Sequence, residues 1–182
     1  VSEGEGSVAR EEIWRVEDEE VSAPGPRAAD APPDARTLGK QVHAVLESWL
    51  LQGGRLTDPI RARLGELGQE SVTRWLESVP PPPANAHAEL PFEWLVDGVP
   101  LVGVLDRVEE SSPGCWRIID YKVSVRRKSD ADLAALYGAQ LEIYAGALDR
   151  LVKPREVSAA LVQITPEGVF ETEVPLERTG LS

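Results

Sequence analysis

The sequence has no methionine, one cysteine, two phenylalanines and two histidines. A single thiol, Cys115, rules out an internal disulfide framework, a multi-cysteine zinc site and an iron–sulfur cluster. It fits a reducing, cytoplasmic setting of bacterial type, and Cys115 itself is expected in a loop. The lack of an initiating methionine leads us to expect a processed, tagged or excised piece of a longer protein. No apolar run is long enough to span a bilayer, and the first twenty residues are acidic where a signal peptide would be basic and then apolar. No membrane partner is expected.

Positive charge is also scarce: 19 Lys and Arg face 31 Asp and Glu, a formal net charge of -12. That balance weighs against tight, nonspecific binding to a nucleic-acid duplex. The deficit is uneven, because residues 1–36 hold ten acids and four bases and so carry half of the net charge. Carboxylates that grip a cation count as negative in a sequence yet are neutralised in use. An enzyme that holds a phosphodiester through a metal and a few local cations therefore remains compatible with the composition.

What is present supports one core: 182 residues, 42% hydrophobic, are too few for two large domains. Residues 1–36 read as an acidic, proline-rich tail or linker. Within it, residues 8–20 suit a short helix with only Ile13, Trp14 and Val16 to bury, Trp14 serving to dock it. The folded domain is expected over residues 37–182. Thr37 suits the cap of a helix over 38–52, with Leu38, Val42, Val45, Leu46, Trp49 and Leu50 as its apolar stripe and Gly53 and Gly54 as its end. A second helix is expected over 58–78, with Asp58 capping and Pro59 in its first turn, until Pro80–Pro83 stop it. From residue 88 the apolar period becomes two, and Asp97-Gly98 marks a tight hairpin between HAELPFEWLV and VPLVGVLDRVEE. A third strand over 116–122, a helix over 132–151, and strands over 157–164 and 169–174 complete the order.

Two of these apolar strands carry carboxylates. Side chains two apart in a strand share a face, so Val104, Asp106 and Val108 are expected to point one way, as are Ile118, Asp120 and Lys122. Charges in apolar strands require partners. One reading is a divalent-metal site with a cation beside it, which metal-assisted phosphodiester hydrolysis needs in the form of hard oxygen ligands and positive charge near the developing anion. Taken alone, Asp-x-Lys equally suits a surface ion pair on an edge strand. His43, on a largely apolar helix face, suits a hydrogen-bonded core histidine as well as a ligand.

Five segments in order, Gly39-x-x-Val42-His43-x-x-Leu46-Glu47, Glu89-Leu90-Pro91-Phe92, Gly103-Val104-Leu105-Asp106-Arg107, Ile118-Ile119-Asp120-Tyr121-Lys122 and Tyr137-x-x-Gln140-Leu141-x-Ile143-Tyr144, resemble the nuclease domain of RecB/AddA helicase–nucleases, within the group that has a PD-(D/E)xK-type core. The likeness runs from residue 37 to about 172. It implies an α/β fold with a restriction-endonuclease-like core, a small mixed central sheet flanked by helices. It also implies a DNase, exonuclease rather than endonuclease, using Mg²⁺ or Mn²⁺ and partnered by DNA and a helicase motor in DNA-end processing or recombinational repair.

By that resemblance His43, Asp106, Asp120 and the backbone carbonyl of Tyr121 bind the metal, Lys122 is the catalytic lysine, and Gln140 and Tyr144 line the site one helical turn apart. Glu89 is implied at the edge of the site behind the ligands, although an exposed strand-end glutamate fits its position too. Arg107, Arg126, Arg127 and Lys128 are candidate contacts to the DNA backbone, solvated loop charge being the other reading. Val123 stands where the family usually has threonine. A catalytically silent domain that positions DNA or docks a protein is the alternative function, and the joint presence of His43, Asp106, Asp120 and Lys122 argues against it.

Overall fold

The computed structural model describes residues 14–15, 35–96 and 99–176. Its elements run β1 (Trp14–Arg15), α1 (Ala35–Leu51), α2 (Asp58–Glu66), α3 (Glu70–Ser78), β2 (His87–Val96), β3 (Val99–Ser112), β4 (Cys115–Val123), α4 (Asp130–Val152), β5 (Glu156–Thr165) and β6 (Gly168–Val174). The strands make one mixed six-stranded sheet in the order β1-β3-β4-β5-β6, with β2 also on β3. β2, β3 and β4 are antiparallel, β4 and β5 are parallel through the α4 crossover, and β6 closes the far edge antiparallel to β5. This is the expected α/β architecture with a restriction-endonuclease-like mixed sheet flanked by helices.

Alternation along the central strands divides the apolar residues between two cores. Ile119, Tyr121, Val162 and Ile164 pack under α1, α2 and α3. Ile118, Ala159 and Leu161 pack under α4 with Leu133, Leu141 and Leu148. The α1 stripe is the expected one, and Val42, Leu46 and Trp49 are essentially solvent-free; each such side chain contributes about 1.5–3 kcal/mol of burial free energy. Among the described residues no helix is long and apolar enough to cross a membrane.

The ends of α1 and α2 follow from glycine. Gly53 and Gly54 take positive φ (68° and 75°), and their N–H groups reach back to the carbonyls of Leu50 and Trp49 at 2.9 and 3.0 Å, which closes α1 as a Schellman motif. The same device corrects the expectation of one helix over 58–78. Gly68 at φ 67° and Gln69 bond back to Gly65 and Leu64 at 3.0 and 2.8 Å, so α2 stops and α3 begins afresh. Three further expectations shift. α1 starts at Ala35 with Thr37 inside it. Cys115 opens β4 and does not sit in a loop. Of the residues expected as a short helix over 8–20, Trp14 and Arg15 are a strand, paired parallel with Leu101 and Val102; the rest of that segment and the Asp97-Gly98 turn lie outside the described residues. In the β2–β3 pair Phe92 stands opposite Gly103, and its ring occupies the space where a Cβ at 103 would lie.

Candidate metal centre and active site

The β3–β4 ladder ends with Arg107 opposite Ile119, which leaves Asp106 and Asp120 as the next residue on each strand beyond it. On the other side of β3, Ala88 pairs with Arg107 and Leu90 with Leu105, which leaves Glu89 opposite Asp106 as the one interruption in an otherwise regular ladder. Glu89 has φ 47°, a left-handed backbone uncommon outside glycine. The irregularity crosses to β3: Leu105 and Val108 both lie in the α4-side core, which strict alternation does not allow. The expectation that Val104, Asp106 and Val108 share one face is therefore corrected, since Val104 is exposed, Val108 is fully buried, and the switch of face falls at Asp106.

His43 reaches this point from α1. Its Nε2 donates to the Tyr121 carbonyl at 3.0 Å and its Nδ1 lies 3.5 Å from Asp106 Oδ1. The other Asp106 oxygen, Oδ2, accepts the Tyr121 N–H at 2.7 Å. His43, Glu89 and Asp106 bring one ligand atom each to within 4.8 Å of one another. With Nε2 acting as donor, a neutral ring turns the Nδ1 lone pair toward a carboxylate oxygen. Two acceptors so close need positive charge, either a second ring proton or a cation. Two carboxylates and an imidazole form a donor set suited to a divalent metal.

Asp120 has a different environment. It is 1% exposed, and its Oδ2 meets Lys122 Nζ at 2.9 Å. The ammonium also lies 4.6 Å from the centre of the Tyr137 ring, a cation–π contact from α4. One and two turns further along α4, Gln140 Nε2 donates to the Tyr144 hydroxyl at 2.7 Å. Burial, and then the negative charges of Asp120 and Asp106, push the Tyr144 phenol well above its ordinary range. Tyr121, turned to the opposite core beneath Trp75, is pushed up to about 12 by burial, with Arg107 opposing.

A family model described as the PD-(D/E)XK nuclease superfamily matches residues 13–179. The chain belongs to that superfamily. Its members are metal-dependent nucleases, which accords with the His43–Glu89–Asp106 donor set. The match starts at residue 13, inside the segment expected as a tail or linker. No curated protein matches the sequence. Among solved structures, the crystal structure of SSO0001 is similar with 20% identity and a TM-score of 0.41, over 77% of this chain and 66% of that one.

The residues expected to form the site in this PD-(D/E)XK chain come together unevenly. Glu89, expected behind the ligands, stands inside the tight donor group with His43 and Asp106. Asp120, expected as a ligand, lies outside that group and pairs with Lys122. The Tyr121 carbonyl accepts from His43. Arg107, expected as a candidate contact to the DNA backbone, is 7% exposed; its Nε donates to Glu109 at 2.9 Å and it lies 5.4 Å from the centre of the Trp49 ring, so it ties β3 to α1. Its charge is held, because Tyr121 and Glu109 outweigh the opposing effect of burial. Arg126 and Arg127 are exposed on the loop after β4, with Arg127 over the Phe170 ring at 4.0 Å. Two residues near the site carry no role in the sequence reading: Tyr137, which is only the first residue of the last motif, and Gln163, which is only part of a strand. Tyr137 lies one turn before Gln140 on the same helix face, and Gln163 is the single polar residue in the run Ala159-Ala160-Leu161-Val162-Gln163-Ile164; those are the signals that could have found them.

Proposed function

We propose that this chain hydrolyses DNA phosphodiester bonds with Mg²⁺ or Mn²⁺, as the exonuclease module of a cytoplasmic, DNA-end-processing helicase–nuclease. The observation that carries the reading is the convergence of His43, Glu89 and Asp106 beside a buried Asp120–Lys122 pair. The ordered motifs from Gly39 to Tyr144 support the helicase–nuclease setting, in which an attached motor supplies most of the affinity that an acidic module lacks.

His43, Glu89 and Asp106 would hold the cation, with the imidazole tilting the preference toward Mn²⁺ over Mg²⁺. A bound divalent cation supplies charge neutralisation at a phosphoryl oxygen and a lowered water pKa. Asp120 fixes the Lys122 ammonium from one side and Tyr137 from another, so that a positive charge stands ready where the transition state gains negative charge. Because its neighbours favour the charged form, Lys122 acts by electrostatic placement and not as a base. Gln140 and Tyr144 wall the α4 side. The Tyr144 hydroxyl stays protonated and able to donate at any physiological pH.

The test is cleavage of linear single- and double-stranded DNA across metals. Activity in Mn²⁺ or Mg²⁺ that stops with EDTA is expected, and Asp106→Asn should abolish it without unfolding the protein. Cleavage that persists in chelator, or in that variant, would sink the proposal.

A further inference from the structure

Lys122, Gln163 and Phe170 are register partners on β4, β5 and β6, so they form one transverse row on the α4 face of the sheet. The row begins at the Asp120–Lys122 pair and ends under the basic loop. Gln163 is 1% exposed, which for an amide demands partners. All its partners belong to the segment that leaves β4. Its Oε1 accepts the Lys128 N–H at 3.0 Å, and its Nε2 donates to the Ser124 hydroxyl at 3.1 Å and to the Arg126 carbonyl at 3.4 Å. The Ser124 hydroxyl in turn donates to the Arg126 carbonyl at 2.9 Å, and the Ser124 N–H is held by the Ile164 carbonyl at 2.9 Å. One residue further on, the Arg127 guanidinium lies on the Phe170 ring. At Lys128 the chain passes directly to Ser129, whose hydroxyl caps α4.

We infer that Gln163 is a positioning residue for the nuclease reaction: it clamps the 124–128 loop across the sheet so that Arg126 and Arg127 are presented to DNA phosphate in line with Lys122. This rests on the nuclease reading above. A loop with three consecutive basic residues would otherwise sample many conformations, and each phosphate contact would then carry the entropic cost of ordering it. A buried amide with both a donor and an acceptor directed at backbone removes that cost before DNA arrives. Leucine in its place has similar bulk but leaves the Lys128 N–H and the Arg126 carbonyl without this partner. Glutamate keeps the acceptor for the Lys128 N–H and loses the donor.

The experiment pairs proteolysis with kinetics on the full chain. Trypsin cuts after Arg126, Arg127 and Lys128, and nicking of the loop reports its open population independently of any activity. In Gln163→Leu, nicking there should rise about tenfold, the loss expected for a deprived buried hydrogen-bonding group, while cleavage elsewhere is unchanged. KM for DNA should rise severalfold with kcat at saturating DNA within about twofold of wild type, because contacts that only bind leave kcat alone. Gln163→Glu should fall between the two. Phe170→Leu, which removes only the surface under Arg127, gives a smaller rise in nicking and keeps the test open if the leucine variant does not fold. Unchanged nicking in the Gln163 and Phe170 variants overturns the clamp. Faster nicking with KM unaltered, or a fall in kcat equal to that in kcat/KM, overturns its link to DNA. Wild-type protein with no action on DNA in any metal overturns the nuclease reading instead, and the nicking comparison still decides the clamp.

Discussion

Asp106 and Asp120 lie on neighbouring strands just beyond the end of one ladder, yet the fold treats them oppositely. Asp106 is partly exposed, takes a backbone N–H, and meets an imidazole and a second carboxylate. Asp120 is buried with an ammonium at 2.9 Å. In the nuclease proposed above, the first would gain a mobile positive charge, and the second already faces a covalently tethered one. That proposal assigns to them two tasks that a bare Asp…Asp-x-Lys spacing leaves merged, holding a cation and aiming a lysine.

The separation can be broken most severely at the buried pair. Asp120→Ala and Lys122→Ala should each lower DNA cleavage by at least about 10³-fold in single-turnover assays. Each should also cost roughly 3–5 kcal/mol in urea unfolding, because a buried charge loses its counter-ion. The double variant Asp120→Leu with Lys122→Met should regain most of that stability and remain inactive. Asp106→Asn keeps an oxygen for the Tyr121 N–H, so its unfolding midpoint should stay near wild type while metal binding is lost. If the two positions behave alike in stability, the distinction fails.

Smaller effects sharpen the same contrast. The Tyr121 phenol is raised from 10.0 to about 12, so the fold favours its protonated form. That stability is fully present below pH 10 and is lost as pH climbs from about 10 towards 12, on the order of 2 kcal/mol. A spectrophotometric titration of folded protein should show Tyr121 and Tyr144 ionising late, and Tyr121→Phe should flatten the alkaline decline. His43→Ala should weaken Mn²⁺ binding by calorimetry at least about tenfold, the loss that even an indirect partner of a ligand typically causes. Last, Arg126→Ala should reduce the salt dependence of DNA binding by about one phosphate contact. Arg107→Ala should instead lower stability and leave that slope unchanged.

Periodicity made most of the sheet and its flanking helices legible, since burying one face of β4 and β5 under each helical layer imposes a pattern visible in composition alone. The Asp120-x-Lys122 pair was legible for the same reason. What escaped depends on backbone conformation or distant partners. Gly68 looked like a tolerated helix residue, and only its positive φ makes it a stop. Glu89 looked peripheral because nothing in its spacing announces a left-handed residue that interrupts a ladder. Arg107 reads as a solvent-facing base until Glu109, Trp49 and Tyr121 are seen around it. Pairing by residues 14–15 rests on a two-residue parallel ladder, too short to leave a periodic trace.

The small void filled by Phe92 over Gly103 has a consequence for the donor group three residues away. Glu89 and Asp106 meet only because β2 and β3 align in one phase, and a slip of a single residue would throw both acids to the wrong sides. The Phe92 ring lies where a Cβ at position 103 would stand, and within the described part of β3 Gly103 is the sole residue without a side chain. The ring and the glycine thus act as key and keyway, indexing one strand against the other, and the same ring bears on Tyr144 at 5.8 Å. A single methyl group added at position 103 would meet the Phe92 ring at 2.5 Å, and the ring that must give way is the one that bears on the α4 wall.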